Sequence, residues 1–431
     1  MQKPRSSLPG FENFPGRDLK LKTPFTFLEA RRKIDGAEGL WRVRNNLYDL
    51  RGFEKFHPGG AEWIHLTRGT DITELFESHH LTDKAEKLLP KYFIREAVTP
   101  RRMELTFKPD GFFLTFKRRA LEALKDIDFH HSSSKTNLIA DFLLTSTILF
   151  SIATAYTQSY LILTLAGVFL AWTAIIGHNY FHMRDSFRMY YFDLIGISSK
   201  DWRISHAMSH HVYPNTLWDF EVYVLEPYLH WLPAIKRSML TNLISAIMSP
   251  VIWALGGFEQ LFKRYYSVFF EYKKFEFRDA VPFILPVLMS FFAPSVLVAV
   301  KFWLLVLCVG GFVLFMVGLN AAHHHPDIFH DGDIYRGDLD WGILELDAVR
   351  DRHVIDNSDF LTLTNFGQHA LHHLLPTVDH SYLPLCTKAF EDTCREFGIS
   401  TQKFTQWQLA AGQFRQILRT KPRKNGRLIT K

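Results

Sequence analysis

Long apolar stretches broken by polar, histidine-bearing ones fill the chain beyond residue 135, whereas the residues before 100 are polar with only short apolar pieces. Residues 137–156 and 160–177 are mostly apolar, and each approaches the ~20 residues that a helix needs to cross a hydrocarbon layer. The short joint Thr157-Gln158-Ser159 makes them a hairpin. Asp141 interrupts the first span; an acid at mid-bilayer costs about 2.5–3.5 kcal/mol, but this one lies near an end, within reach of water. Residues 281–300 and 302–319 predict a second hairpin, interrupted only at Lys301. Residues 241–257 are apolar but shorter and contain Pro250, and they read as a re-entrant or interfacial segment. Four crossings return the chain to its starting side, and Lys273, Lys274 and Arg278 before the second hairpin assign that side to the cytosol.

Ahead of the first span the pattern divides into three. Residues 1–24 are rich in Pro, Gly and charge without an apolar period, and read as an extension. Residues 25–100 combine short alternating pieces near 41–50 with helical pieces near 61–66, which predicts a compact α+β domain. Residues 101–135 are basic and partly amphipathic, with Lys117, Arg118, Arg119 and Lys125, and predict an interfacial connector. The membrane body then runs over 136–400. The run Arg415, Arg419, Lys421, Arg423, Lys424 and Arg427 makes 401–431 a basic tail, expected to be solvated and to touch anionic lipid. The fold class expected is therefore multidomain: an α+β domain followed by an all-α membrane body with about four transmembrane helices.

Composition changes this picture in a few places. With 50 basic and 44 acidic residues the net charge is +6, and the excess sits beside apolar segments. No basic run is interleaved with aromatic residues, so no nucleic-acid partner is expected. Cys308, Cys386 and Cys394 form no CxxC pair, which argues against a disulfide framework or zinc ribbon and for a reducing surrounding. The N-terminus lacks the apolar core of a secretory signal, so insertion is assigned to the internal spans. Histidine is the conspicuous residue type, with 21 copies in clusters.

The first cluster lies in the α+β domain. His57-Pro58-Gly59-Gly60 is a turn in which Pro restricts φ and Gly permits positive φ, so His57 can project inward. A haem held by two axial imidazoles needs a second histidine from the opposite wall of a crevice. The segment GTDITELFESHHL supplies His79 and His80, with Phe76 one turn before His80. His65 is too close in sequence to face His57 across a haem and reads as a surface residue.

The other clusters follow predicted membrane ends. HNYFH places His178 and His182 on one helical face, and HAMSHH repeats that spacing with His206 and His210 and adds His211. HALHH brings His369, His372 and His373, while NAAHHH, with His323, His324 and His325, sits where the last span emerges. Neutral imidazoles in such numbers suit iron. His130, His131, His230, His330, His353 and His380 fall outside these spacings and read as surface or supporting residues, with His380, beside Asp379, the best candidate for support.

These motifs resemble two families. LYDLRGFEKFHPGG, GTDITELFESHH and KYFI resemble the cytochrome b5 family over residues 25–100, which implies haem b with His57 and His80 as axial ligands, His79 being the rival. HxxxH, HxxxHH and HxxHH, with HHVYPNTLWDFE and HHLLPTVDHSYLP, resemble the membrane fatty acid desaturase and hydroxylase superfamily over residues 130–400. That resemblance implies two non-haem irons held by His178, His182, His206, His210, His211, His369, His372 and His373. A ninth ligand maps to His324, with His323 the alternative and Asn320 in the outer sphere. Many b5-fused desaturases have glutamine where His369 stands, a departure that bears on regiochemistry rather than metal binding. The resemblance implies an O2-dependent desaturase of an acyl lipid or acyl-CoA, fed by an NADH-dependent b5 reductase at the endoplasmic reticulum. A lipid hydroxylase, or a membrane-anchored b5 carrier with an inactive body, are the alternatives.

Overall fold

The computed structural model describes residues 4–12, 14–355 and 358–423, with 317–321 as backbone only. A b5-like domain begins with the helix Pro24–Ile34, whose start is fixed by a reciprocal Thr23/Thr26 capping box and by Pro24 in the first turn. Strands Trp41–Val43, Asn46–Tyr48 and Phe93–Glu96 form an antiparallel sheet with the second strand in the middle. Trp41, Val43, Tyr48, Ile64, Ile72 and Phe76 make its separate core. The short helices Ala61–Thr67 and Thr73–His79 form the walls that carry the candidate haem residues.

Among the described residues four helices are long and apolar enough to cross a membrane: Ser134–Thr157, Tyr160–His182, Met239–Glu271 and Val296–Met316. The first two form the expected hairpin, started by the Ser133 cap and turned at Gln158, which takes the left-handed φ of 55°. Asp141 is bidentately paired with Arg188 at 2.7 and 2.9 Å and also accepts from the Tyr191 hydroxyl, which explains how the span carries an acid. Gly167 lets this hairpin approach the helix Val296–Phe312 closely, since a Cβ there would lie 2.4 Å from Val309.

The second hairpin differs from expectation. Residues 281–300 are not one helix: a tight turn of helix over Phe277–Phe283 leads into Ile284–Ser290, the chain breaks at 291–295, and a new helix starts at Val296. Pro294 cannot continue a helix and Ser295 caps the next one by accepting from Val298, so the turn lies there, and Lys301 sits inside the helix. Residues 241–257 join the long helix Met239–Tyr266. Its Leu240, Leu243, Ile244, Ile247, Val251 and Leu255 are exposed, while Asn242, Ser245 and Ser249 face protein. Ser245 donates to the carbonyl of Tyr228, and beyond the C-terminal end Glu271 accepts from Thr23. By length and composition the helix through Glu271 is itself a candidate span.

Three peripheral expectations are corrected. The extension is packed: Leu8, Phe11 and Phe14 enter the main core, and Trp218 Nε1 donates to Phe11 O. The connector helix Phe112–Ala123 buries Phe112, Phe113 and Phe116 against Trp341 and Phe390 instead of lipid. Within the tail, Gln406–Leu418 is a helix, and Arg415 and Arg419 are taken by His325 and Asp333. Lys424 and Arg427 lie outside the described residues. These segments lack a simple period because their partners are distant in sequence.

Candidate metal centre and haem crevice

His57 and His80 face each other with ring centroids 6.2 Å apart across a cavity of about 300 Å³. His57 Nδ1 donates to Gly60 O and His80 Nδ1 to Phe76 O, each at 2.9 Å, which fixes the tautomers and leaves both Nε2 lone pairs for a metal. Burial lowers His57 and pushes His80 down to about 4, so both stay neutral near pH 7. Gly60 is required twice. It has φ of 111°, and a Cβ on it would meet Asp185 Oδ2 at 2.3 Å, because the turn lies against the membrane body. These features fit a haem. His79 lines the same cavity but does not face His57: its ring lies 5.2 Å from Trp63 and 6.4 Å from His182.

The crevice is therefore docked on the box layer. Glu62 of the b5 domain meets Arg203 and Arg278 at 3.0 and 2.8 Å, and Arg203 also holds Asp185. Arg203 is 1% exposed, so the contact with Glu62 joins the two domains through a buried charge that Asp185 also balances.

Below it, the box histidines gather in two buried groups. His178 ends the second span, and its Nε2 lies 2.9, 3.0 and 3.3 Å from the Nε2 atoms of His206, His182 and His372. His211 joins through His206 at 3.0 Å. The second group centres on His323, whose Nε2 is 3.0 Å from that of His210 and 2.7 Å from that of His369, with His373 in the same group. Imidazole nitrogens crowded at these distances cannot all be satisfied by sharing protons, whereas a cation accepts all their lone pairs. Local structure supplies the convergence: the second box winds as a π-helix over Arg203–His210, which shifts the side-chain spacing, and the third is the short helix His369–Leu374.

Several of the outer nitrogens are oriented, while Nδ1 of His178, His182 and His211 has no partner among the described residues. Nδ1 of His206, His210 and His373 lies 2.9, 2.8 and 2.8 Å from Glu221, Asp219 and Glu345, and His323 Nδ1 donates to Ala348 O. His372 Nδ1 pairs with His380 Nε2 at 3.1 Å, which gives His380 the supporting place expected of it. Burial pushes Glu345 well above the usual carboxylate range, and a bound dication opposes that. The donor set fits iron in both groups.

Eight of the expected iron donors come together, and His324, expected as the ninth, lies outside both groups. His324 stacks on Trp231 at 3.8 Å and contacts His330, while His323 turns into the cluster. Residues 313–319 form a π-helix, and this alters which side of the chain faces inward after the last span, a change that the asparagine spacing does not register. The Asn320 side chain lies outside the described residues. Sequence reasoning also missed Glu221, Asp219 and Glu345; the first two could have been found in WDFE, directly after the second box. A narrow cavity of about 50 Å³ beside His210 and His323 is lined by Phe220, Ile252, Trp253 and Phe315.

A fused haem crevice and a histidine-lined membrane body define a b5-desaturase type of protein, and comparison with known proteins agrees. A fatty acid desaturase profile matches residues 155–405 and a cytochrome b5-like haem/steroid binding domain profile matches 28–98. The chain belongs to the fatty acid desaturase family and carries a b5-like domain in front. It is 41% identical to the cytochrome b5-related protein of Drosophila melanogaster over 94% of each chain. It is 21% identical to the acyl-lipid (8-3)-desaturase of Mortierella alpina, over 91% of this chain and 96% of that one. The NADH nitrate reductase of Brassica napus is 38% identical over 23% of this chain and 12% of its own. No solved structure matches. The family implies haem, non-haem iron, a lipid substrate and O2, and with the apolar helices it indicates an integral membrane protein.

Proposed function

We propose that this chain is an O2-dependent fatty-acyl lipid desaturase whose b5 domain is its resident electron donor. The observation that carries the reading is the convergence of nine buried imidazoles, in two groups, directly beneath a haem-type crevice whose wall includes His182. His57 and His80 would hold haem b; His178, His182, His206, His211 and His372 one iron; and His210, His323, His369 and His373 the other. When bound, the haem supplies single electrons and the iron pair supplies the O2 chemistry that removes hydrogen from an unactivated methylene.

The chain's own residues do the rest. Glu221, Asp219 and Glu345 orient imidazoles and balance charge, and His380 holds His372. Phe220, Trp253 and Phe315 place apolar side chains beside His210, where an acyl chain, as lipid or acyl-CoA, would approach the site. The haem domain and boxes would lie together on the cytosolic side of the endoplasmic reticulum, within reach of an NADH-dependent b5 reductase. The test is expression in a cell with a simple lipid profile, with lipid mass spectrometry and assay of haem and iron. New unsaturated acyl species are expected. Hydroxylated products would replace this reading with the hydroxylase, and haem without a second metal after iron loading would replace it with the carrier.

A further inference from the structure

The cavity between His57 and His80 is not closed by the b5 domain alone. Phe129 and His130 of the connector, with His182, Met183, Arg184 and Thr377 of the body, supply one side, and Lys84 lines it from the b5 side. Burial and then Arg184 hold His130 below its ordinary value, and Lys84 acts in the same sense, so the three basic groups are neighbours. None of these three side chains makes a hydrogen bond or ion pair among the described residues; nearby Asp128 is engaged by His131 and by the backbone of His130. Arg184 and Lys84 keep the His130 imidazole neutral until an anion joins the three, when it can take up a proton and add its charge. A b-type haem carries two propionate carboxylates on one edge of an otherwise apolar ring.

We propose that His130 of the connector and Arg184 of the membrane body, with Lys84 of the b5 domain, bind the haem propionates, so that the haem site is completed from outside the b5 domain. This rests on the haem reading above and extends it. Positive charge at the propionates favours the reduced haem, so the body sets the potential of its own donor and retains the haem while the domain is docked.

The test uses the full chain in detergent. Arg184→Gln, His130→Gln and Lys84→Gln should each keep the low-spin haem spectrum, shift the midpoint potential negative, and release haem to apomyoglobin roughly two- to fivefold faster, the scale of a partly exposed charge pair. Arg184→Lys should restore most of the wild-type behaviour. Lys87→Gln removes a cation paired with Asp83 and absent from the cavity lining, and should change neither quantity. Unchanged potential and haem release in Arg184→Gln and His130→Gln, or an equal shift in Lys87→Gln, overturn the shared site. Wild-type protein without low-spin haem overturns the haem reading itself.

Discussion

The two candidate redox sites use the same side chain in opposite ways. In the crevice two imidazoles face each other across empty volume, each anchored by a carbonyl, with the space between them reserved for a large planar ligand. In the box layer nine imidazoles crowd together with no such space, and three of them, His206, His210 and His373, are anchored by buried carboxylates. Carbonyl anchors suit a site whose ligand brings its own negative ring. Carboxylate anchors suit bare cations that need charge balance. The difference predicts that each site fails separately.

The largest effect should come from His210→Ala, which removes a donor held by Asp219 and close to His323. The iron of the His210 group and all lipid oxidation should be lost, while haem content and its reduction by NADH plus reductase stay normal. Next, His57→Ala or His80→Ala should abolish the low-spin haem spectrum and leave non-haem iron, with turnover dependent on added b5. His79→Ala should keep the spectrum; loss there with retention in His80→Ala would make the T-shaped pair of His57 and His80 irrelevant.

Two smaller changes sharpen the contrast within the box layer. His323→Ala should cost one of the two irons, whereas His324→Ala, which removes a ring stacked on Trp231, should leave iron stoichiometry unchanged; the reverse outcome would restore the ligand expected from sequence. Glu345→Gln should weaken iron binding by about 10–100-fold without emptying the site, as loss of an orienting carboxylate does. Iron titration of the purified protein reads both.

The elements legible in the sequence were those whose signal is local. The turn at His57 to Gly60, the paired histidines of each box and the first hairpin could be read because spacing alone carried them. Pro294-Ser295 was equally local, but it lay inside an apolar run whose only charge, Lys301, drew the break to itself. What was not legible came from contacts between distant segments: Phe11 beneath Trp218, the tail helix against Trp231 and Met316, and Glu345 behind His373. The shift from His324 to His323 belongs to a third kind, since a π-helical winding changes facing direction without altering spacing in the sequence.

The smallest expected effect tests whether the two sites are held together by the turn itself. Gly60→Ala places an L side chain at φ of 111°, a region nearly confined to glycine and costing about 1–3 kcal/mol, and adds a methyl against the Asp185 carboxylate. The two causes separate in a double-mutant cycle with Asp185→Ala, which removes the obstructing oxygens but leaves the dihedral strain. If docking depends on this close approach, Gly60→Ala should slow haem reoxidation by the iron centre more in the wild-type background than in Asp185→Ala, with haem content equal in both. Strictly additive effects on that rate would mean that Gly60 serves only the turn, and that the Glu62 contacts with Arg203 and Arg278 hold the domains without it.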